Sequence, residues 1–534
     1  MSARTRLIIF GIDSADWNCM GPFLEEGLLP NLKALIEQGT SAPLRSTIPP
    51  ITSCAWPSIM TGTNPGKHGM FGFLTSTARP RLGTNADRQA PALWEILNAS
   101  GLRVGFFNVP LTYPPDPVDG FMVAGEIGAP AFVEKIFYPP HLFAEARKAV
   151  FKYPLRFPGS NLPERKQLAL WREIALTRHK LCMQLLKNHP VDVLVAVVNY
   201  VDYVQHSHLV NRRVGDMPDI VAWSYQQADA LLGEILNSTE SECPVLVVSD
   251  HGSIPVQGYM DINAFLYTQG WLEYSPAVGR RSIGGLLYRK AARAYDALLS
   301  KRLPMAIAAR LAVFARRVAY SNIIEWSRTK AFFGNSYGVI INTPGRSPSP
   351  TVSEKDRLAV AKDIAAAISD LVNPLTGKKD IVAFLREDLY HGPALEAAPD
   401  IIVMPQEFAL VCFLGPAFSE QVFYSEAELR EAGMHTRLIQ EGTHRLEGVL
   451  IASPPLPSMP DQPTVMDIAP TALGLLGLPI PSHMDGRDLT GQASSAREGH
   501  QQPVLQREKP SEEKVYSAEE EAAVMKRLQD LGYL

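Results

Sequence analysis

Leu7-Ile8-Ile9-Phe10-Gly11-Ile12-Asp13 is an apolar run that closes on an acid, and two later stretches repeat the design. Val193-Leu194-Val195-Ala196-Val197-Val198-Asn199-Tyr200-Val201 runs into Asp202, and Val245-Leu246-Val247-Val248-Ser249 runs into Asp250. Unbroken apolar runs rich in β-branched residues read as strands covered on both faces, the pattern of a parallel sheet between helices. Such sheets collect their chemistry in the crevice beyond the strands' carboxyl ends, so the three acids are expected to meet there. His251 follows Asp250 directly, and His206 stands one helical turn after Asp202. Carboxylates and imidazoles gathered in one crevice read as a metal site. Taken singly, Asp13 and Asp250 read more readily as turn formers or helix caps.

Outward from these runs, strand patterns (7–12, 103–108, 121–125) alternate with helical ones (29–38, 91–100), making residues 1–136 the first part of an α/β core. Residues 137–190 turn helical after a proline-rich start and read as a cap inserted into the sheet, and 191–257 resume the core. A second helical insertion is expected over 258–325. It is basic, with ten Lys or Arg from Arg280 to Arg317 against one acid, Asp296. Strand patterns at 337–342, 400–404 and 448–452, a helix at 353–372 and a helix-like stretch from Val465 to Leu478 make 326–490 the third core part. Residues 491–534 read as a linker and a docking helix. There Ser517-x-x-Glu520 has the form of a capping box, and Val524, Leu528 and Leu531 share one face. The expected fold is α/β, with a mostly parallel central sheet flanked by helices and two helical cap insertions roofing the site.

The composition is that of a soluble globular chain: 46% hydrophobic, 20% charged and a formal net charge of -4 over 534 residues. That balance exerts no general pull toward nucleic acid. Cys19, Cys54, Cys182, Cys243 and Cys412 form no CxxC pair and no disulfide framework, so a cytoplasmic location is expected. No run reaches the ~18 uninterrupted apolar residues of a spanning helix. Any peripheral contact with an anionic membrane is expected at the basic segment 280–317, whose plainer reading is a cap helix with a solvated charged face.

After the first strand, Thr47-Ile48-Pro49-Pro50-Ile51-Thr52-Ser53-Cys54-Ala55-Trp56-Pro57-Ser58 leads into Ile59-Met60-Thr61-Gly62-Thr63-Asn64-Pro65-Gly66-Lys67-His68-Gly69. Together with Asp13, Asp202-x-x-x-His206, Ser249-Asp250-His251-Gly252 and Gly442-Thr443-His444, this resembles the alkaline phosphatase superfamily. Within it the pattern is most similar to the type I phosphodiesterase/nucleotide pyrophosphatase branch and related phosphohydrolase and phosphomutase proteins. The resemblance covers roughly residues 5–490, since Met466 to Thr471 and Asp485-Gly486-Arg487 also match a closing segment.

The resemblance implies two divalent metal ions, Zn²⁺ first and Mn²⁺ second. It places one among Asp202, His206 and His444, and the other among Asp13, Asp250, His251 and the Thr52 hydroxyl. It also implies that Thr52 is the nucleophile and forms a covalent phospho-threonine. A threonine hydroxyl attacks phosphorus only when its pKa is lowered, and two ions about 4 Å apart do this while also stabilising the leaving oxygen. The asparagine expected three residues after the nucleophile is Ala55, and Asn108, whose plainer reading is a turn former, is the candidate to replace its hold on a phosphate oxygen. Two other motifs fail. Gly62 to Lys67 lacks Walker A spacing, and Cys54 lacks the arginine of a sulfatase frame.

The implied activity is metal-dependent hydrolysis of a small phosphate ester or nucleotide-like substrate. A diester or pyrophosphate is favoured, because no Lys or Arg lies between Ser46 and Thr63 to hold a monoester's second charge, whereas Trp56 and Pro57 offer an apolar surface. The alternatives are a phosphomutase or phosphomonoesterase and, outside enzymes, an inactive metal-binding scaffold.

Overall fold

The computed structural model describes residues 5–76, 80–150, 153–154, 162–239, 242–275, 323–334, 337–414, 418–431, 440–491 and 515–530. Its centre is an eight-stranded sheet built from β1 (Leu7–Ile12), β2 (Thr40–Arg45), β3 (Val104–Val109), β4 (Gly120–Ala124), β5 (Phe137–Tyr138), β6 (Val193–Val198), β7 (Val245–Val248) and β17 (Glu447–Ser453), in the order β2-β17-β7-β1-β6-β3-β4-β5. The five strands from β7 to β4 run parallel, while β17 is antiparallel to its neighbours β2 and β7, and β5 to β4.

Alternate residues explain why the strand sequences are apolar throughout. Ile8, Phe10, Leu194 and Ala196 enter one core, and Leu7, Ile9, Val193 and Val195 enter the core on the opposite face. The long helix Glu164–Asn188 and helix Ile220–Asn237 cover the first face, and helices Leu93–Ala99 and Ile468–Leu475 cover the second. Strand order then places the site. β1 lies between β6 and β7, so the segments leaving all three carboxyl ends are neighbours.

Smaller sheets complete the third core part. β10 (Ala331–Phe333), β11 (Gly338–Ile341), β12 (Ile381–Leu385) and β13 (Ile401–Pro405) form an antiparallel sheet under helix Glu354–Ser369. β9 (Gly258–Asp261) pairs with β14 (Leu410–Phe413) and β15 (Phe423–Tyr424), and β8 (Gly252–Pro255) pairs with β16 (Gly442–Arg445). Residues 258–275, expected to open a helical insertion, therefore begin with a strand that leads into helix Ile262–Thr268. The whole basic segment 280–317, and the rest of that insertion from 276 through 322, lie outside the described residues.

The C-terminal helix Ala518–Asp530 is capped by Ser517 and Glu520, and it buries Val524 and Leu528 in the first core. Leu531 lies outside the described residues. No helix among the described residues is long and apolar enough to cross a membrane.

Candidate metal centre

Asp13 is the residue immediately after β1, held by its N–H to Val198 O at 2.9 Å, and its side chain is fully buried. Asp250 and His251 follow β7 within two and three residues and are equally buried. The apolar run 193–201 does not remain a strand up to Asp202. β6 ends at Val198 and helix Tyr200–His208 begins two residues later, so Asp202 and His206 occupy one helical face a turn apart. Their side-chain atoms approach to 3.3 Å. His444 arrives on β16, where the antiparallel register sets it opposite Ser253, and its ring stacks on His251 with centroids 3.9 Å apart.

Thr52 is the first residue of helix Thr52–Thr61, and its hydroxyl lies 3.2 Å from His251 Nε2. The helix start leaves the first backbone N–H groups without intrahelical acceptors, an arrangement suited to an anion. The imidazoles are aimed by the main chain. His206 Nδ1 lies 2.8 Å from Gly442 O, and His251 Nδ1 lies 3.2 Å from Gly252 O, which turns both Nε2 atoms inward. Across the crevice, His206 Nε2 and His444 Nε2 are 3.0 Å apart.

Two groups of donor atoms result, Asp13 with Asp250 and His251, and Asp202 with His251 and His444, each lying within 4.8 Å of one another. His251 belongs to both. The electrostatics are those of anions deprived of water. Burial, then the charges of Asp250 and Asp202, raise the Asp13 carboxyl well above the ordinary carboxylate range. Burial also raises Asp250, against the pull of His251. For Asp202 burial acts upward too, but His206, His444 and His251 outweigh it and hold the group below its ordinary value. Asp13 Oδ1 and Asp250 Oδ2 are buried without a hydrogen-bond donor, and no Lys or Arg among the described residues pairs with either acid. Buried carboxylate oxygens left in this state fit a bound cation, and the mixed Asp/His donor set fits a divalent transition metal.

A family model, type I phosphodiesterase / nucleotide pyrophosphatase, matches residues 7–412. The chain belongs to the type I phosphodiesterase/nucleotide pyrophosphatase family. It is accordingly a hydrolase acting on phosphoric ester bonds, within the alkaline phosphatase superfamily. The match to this phosphodiesterase family ends before His444, so the register of β16 on β8 is what ties that histidine to the rest.

Among solved structures, phosphonoacetate hydrolase from Sinorhizobium meliloti 1021 shares the fold. In complex with phosphonoformate it aligns at 13% identity and a TM-score of 0.51, covering 89% of this chain and 96% of that one. The same enzyme with phosphonoacetate aligns at 14% identity, with the same coverage and a TM-score of 0.49. No curated protein gives a significant match.

Two expectations of the sequence meet a different structure. Asn108 sits at φ 59° with its amide occupied: Nδ2 donates to Val197 O at 3.0 Å and Oδ1 accepts from Glu126 N at 3.0 Å. It braces the ends of β3 and β6, and among the described residues it has no polar contact with the seven residues above. Trp56 is not a surface beside the nucleophile. It is fully buried, and its indole N–H donates to Asp13 Oδ2 at 3.2 Å. Gly11 makes this possible, since a Cβ there would lie 2.4 Å from the Trp56 ring. Trp56 thus orients Asp13, a role that sequence alone signals only through the pairing of a glycine in β1 with a tryptophan in the helix Thr52–Thr61.

Proposed function

We propose that the chain hydrolyses a phosphoric diester or pyrophosphate through a covalent phospho-threonine at Thr52, with two divalent metal ions. The observation that carries this reading is the sharing of His251 between two buried carboxylate–imidazole groups, with the Thr52 hydroxyl 3.2 Å from its Nε2. Asp202, His206 and His444 would hold one ion, and Asp13, Asp250, His251 and Thr52 the other, with Zn²⁺ preferred and Mn²⁺ next. Bound there, the ions supply Lewis-acid activation of the nucleophile and charge neutralisation at the phosphoryl oxygens and leaving group.

The protein's own residues do the rest. His206 and His251 keep their Nε2 atoms directed inward because their Nδ1 atoms face backbone carbonyls. Trp56 holds Asp13, and the start of helix Thr52–Thr61 presents backbone N–H groups to the phosphoryl oxygens. The Thr52 oxygen attacks phosphorus as its proton leaves, the bond to the leaving alkoxide or phosphate breaks and that group departs, and water then cleaves the Thr52–phosphorus ester, releasing a phosphomonoester that keeps the second organic group and restoring the hydroxyl. The lack of Lys or Arg from Ser46 to Thr63 supports a singly charged diester over a monoester dianion. The apolar surface for its second group does not come from the buried Trp56.

The test is purified protein assayed on matched bis-aryl diester and aryl monoester in ¹⁸O water. The expected result is a higher kcat/KM for the diester and label in the released aryl phosphate. A monoester preference of tenfold or more, about 1.4 kcal/mol, replaces the diesterase with a phosphatase. Transfer to an added alcohol without label replaces it with a mutase. Activity that survives complete chelation removes the metal mechanism.

A further inference from the structure

Behind the helix that carries Asp202 and His206, the turn at 125–130 is gripped by the C-terminal segment. The Arg527 guanidinium donates to three main-chain oxygens of this turn, Glu126 at 2.5 Å, Ala129 at 2.7 Å and Pro130 at 3.3 Å. Tyr516 stacks on Tyr113 with centroids 5.3 Å apart, and its hydroxyl donates to Gly128 O at 2.7 Å.

From the turn, contacts run inward to the site. Glu126 N–H donates to Asn108 Oδ1, and Asn108 Nδ2 reaches Val197 O at 3.0 Å and Asn199 Oδ1 at 3.4 Å. Asn199 immediately precedes helix Tyr200–His208, and its amide nitrogen donates to Tyr203 OH at 3.2 Å, one residue beyond Asp202. Tyr203 lies within the electrostatic reach of the site carboxylates Asp13 and Asp202 and of the guanidiniums of Arg178 and Arg527.

Docking a helix needs no such device. Val524 and Leu528 already bury the apolar face, whereas desolvating a guanidinium against neutral carbonyls is costly. An arginine is justified where it fixes the geometry of what it grips. We infer that Arg527 is a positioning residue of the hydrolytic site: through the 125–130 turn, Asn108 and Asn199, it fixes the start of the helix bearing Asp202 and His206. This rests on the assignment of those two residues to one divalent ion.

The experiment is Zn²⁺ titration of the metal-free full chain against a competing chromophoric chelator, with Tm recorded in parallel. Asp202→Asn first identifies which Zn²⁺ affinity belongs to this half. Arg527→Ala is expected to weaken that affinity about tenfold, as outer partners of metal ligands do, and to leave the other within about twofold. Arg527→Lys recovers most of the loss. Val524→Ala, which removes packing from the same helix, lowers Tm without moving either affinity.

The inference is overturned if Arg527→Ala moves neither affinity, moves both alike, or does no more than Val524→Ala. Should Arg527→Ala not fold, Tyr516→Phe removes one hydroxyl from the same turn. A shift confined to the Asp202 affinity then supports the inference, and no shift overturns it. Failure of the ligand assignment appears separately, as unchanged Zn²⁺ binding in Asp202→Asn, and the inference falls with it.

Discussion

Asp13, Asp250 and His251 hang directly from the ends of two adjacent central strands, β1 and β7, whereas Asp202 and His206 ride on a helix and His444 on a two-stranded sheet. The first half inherits its geometry from the central sheet, where each strand is fixed by both neighbours. The second is assembled from separate pieces joined by a few contacts, such as Glu441 N–H to His206 O, His206 Nδ1 to Gly442 O and the register of β16 on β8. A single loosened contact should therefore harm the second half more than the first. Thr52 stands on the first side, within reach of His251.

The sharpest cut separates chemistry from metal binding. Thr52→Ala is expected to lower kcat by roughly 10³-fold or more, as loss of a covalent nucleophile does. Zn²⁺ content by elemental analysis should stay near the wild-type value, because the carboxylates and imidazoles remain. A Ser53→Ala variant that is silent while Thr52→Ala stays active would move the nucleophile by one residue.

Asp250→Asn comes next. It removes a ligand from the sheet-borne half, so about one equivalent of Zn²⁺ should be lost together with most turnover, and excess Zn²⁺ should restore part of the activity. Retention of both equivalents would break the division into halves.

Two glycine substitutions compare the halves at equal chemistry. At Gly442 a Cβ would lie 2.6 Å from Gln205 O, so Gly442→Ala pushes β16 off the helix and should weaken Zn²⁺ at the second half about tenfold. Gly11→Ala crowds the Trp56 ring and should appear mainly as lost stability of about 1–3 kcal/mol, read by denaturant titration. Equal effects on Zn²⁺ would remove the distinction.

The smallest effect expected is a slope of Tm against pH. His68, bonded through Nε2 to Ser58 on the helix of Thr52, is pushed down by burial to about 3. His179, bonded to Tyr200 at the start of the second helix, is pushed down by burial to about 4. The unfolded state binds these protons below about pH 6.5 and the folded state does not, so the contribution of these two groups to stability falls from there toward pH 4. His179→Gln and His68→Gln should each remove part of that fall relative to the wild type, and a variant whose slope of Tm between pH 6.5 and 4 equals the wild type's would contradict the corresponding shift.

The sheet-borne half was the legible one, because an apolar run ending in an acid specifies both strand and crevice. The other half was harder to read. Tyr200 and Val201 continue the apolar run beyond β6, and periodicity in a fully buried stretch does not mark where extension turns to helix. β8 and β16, with the sequences GSIP and GTHR, are too short and too polar to announce themselves, so His444 was found by resemblance, and its partner strand came only from the structure. Asn108 read both as a phosphate donor and, more plainly, as a turn former, and its left-handed backbone fits the second reading. Arg527 gave no signal at all, since one arginine on an amphipathic helix reads as solvated.

The position of β2 has a consequence for synthesis. Among the described strands its neighbour in the sheet is β17, and Thr40 pairs with Ala452, so a strand that leaves the ribosome early waits about 400 residues for its partner. At roughly 5–20 residues per second this is on the order of half a minute. Throughout that time Thr40–Arg45 is an open edge beside a nascent chain whose three site acids have not yet met His444. Both edge and acids are completed by the same late stretch, residues 442–453, and the growing polypeptide depends on whatever shields it until then.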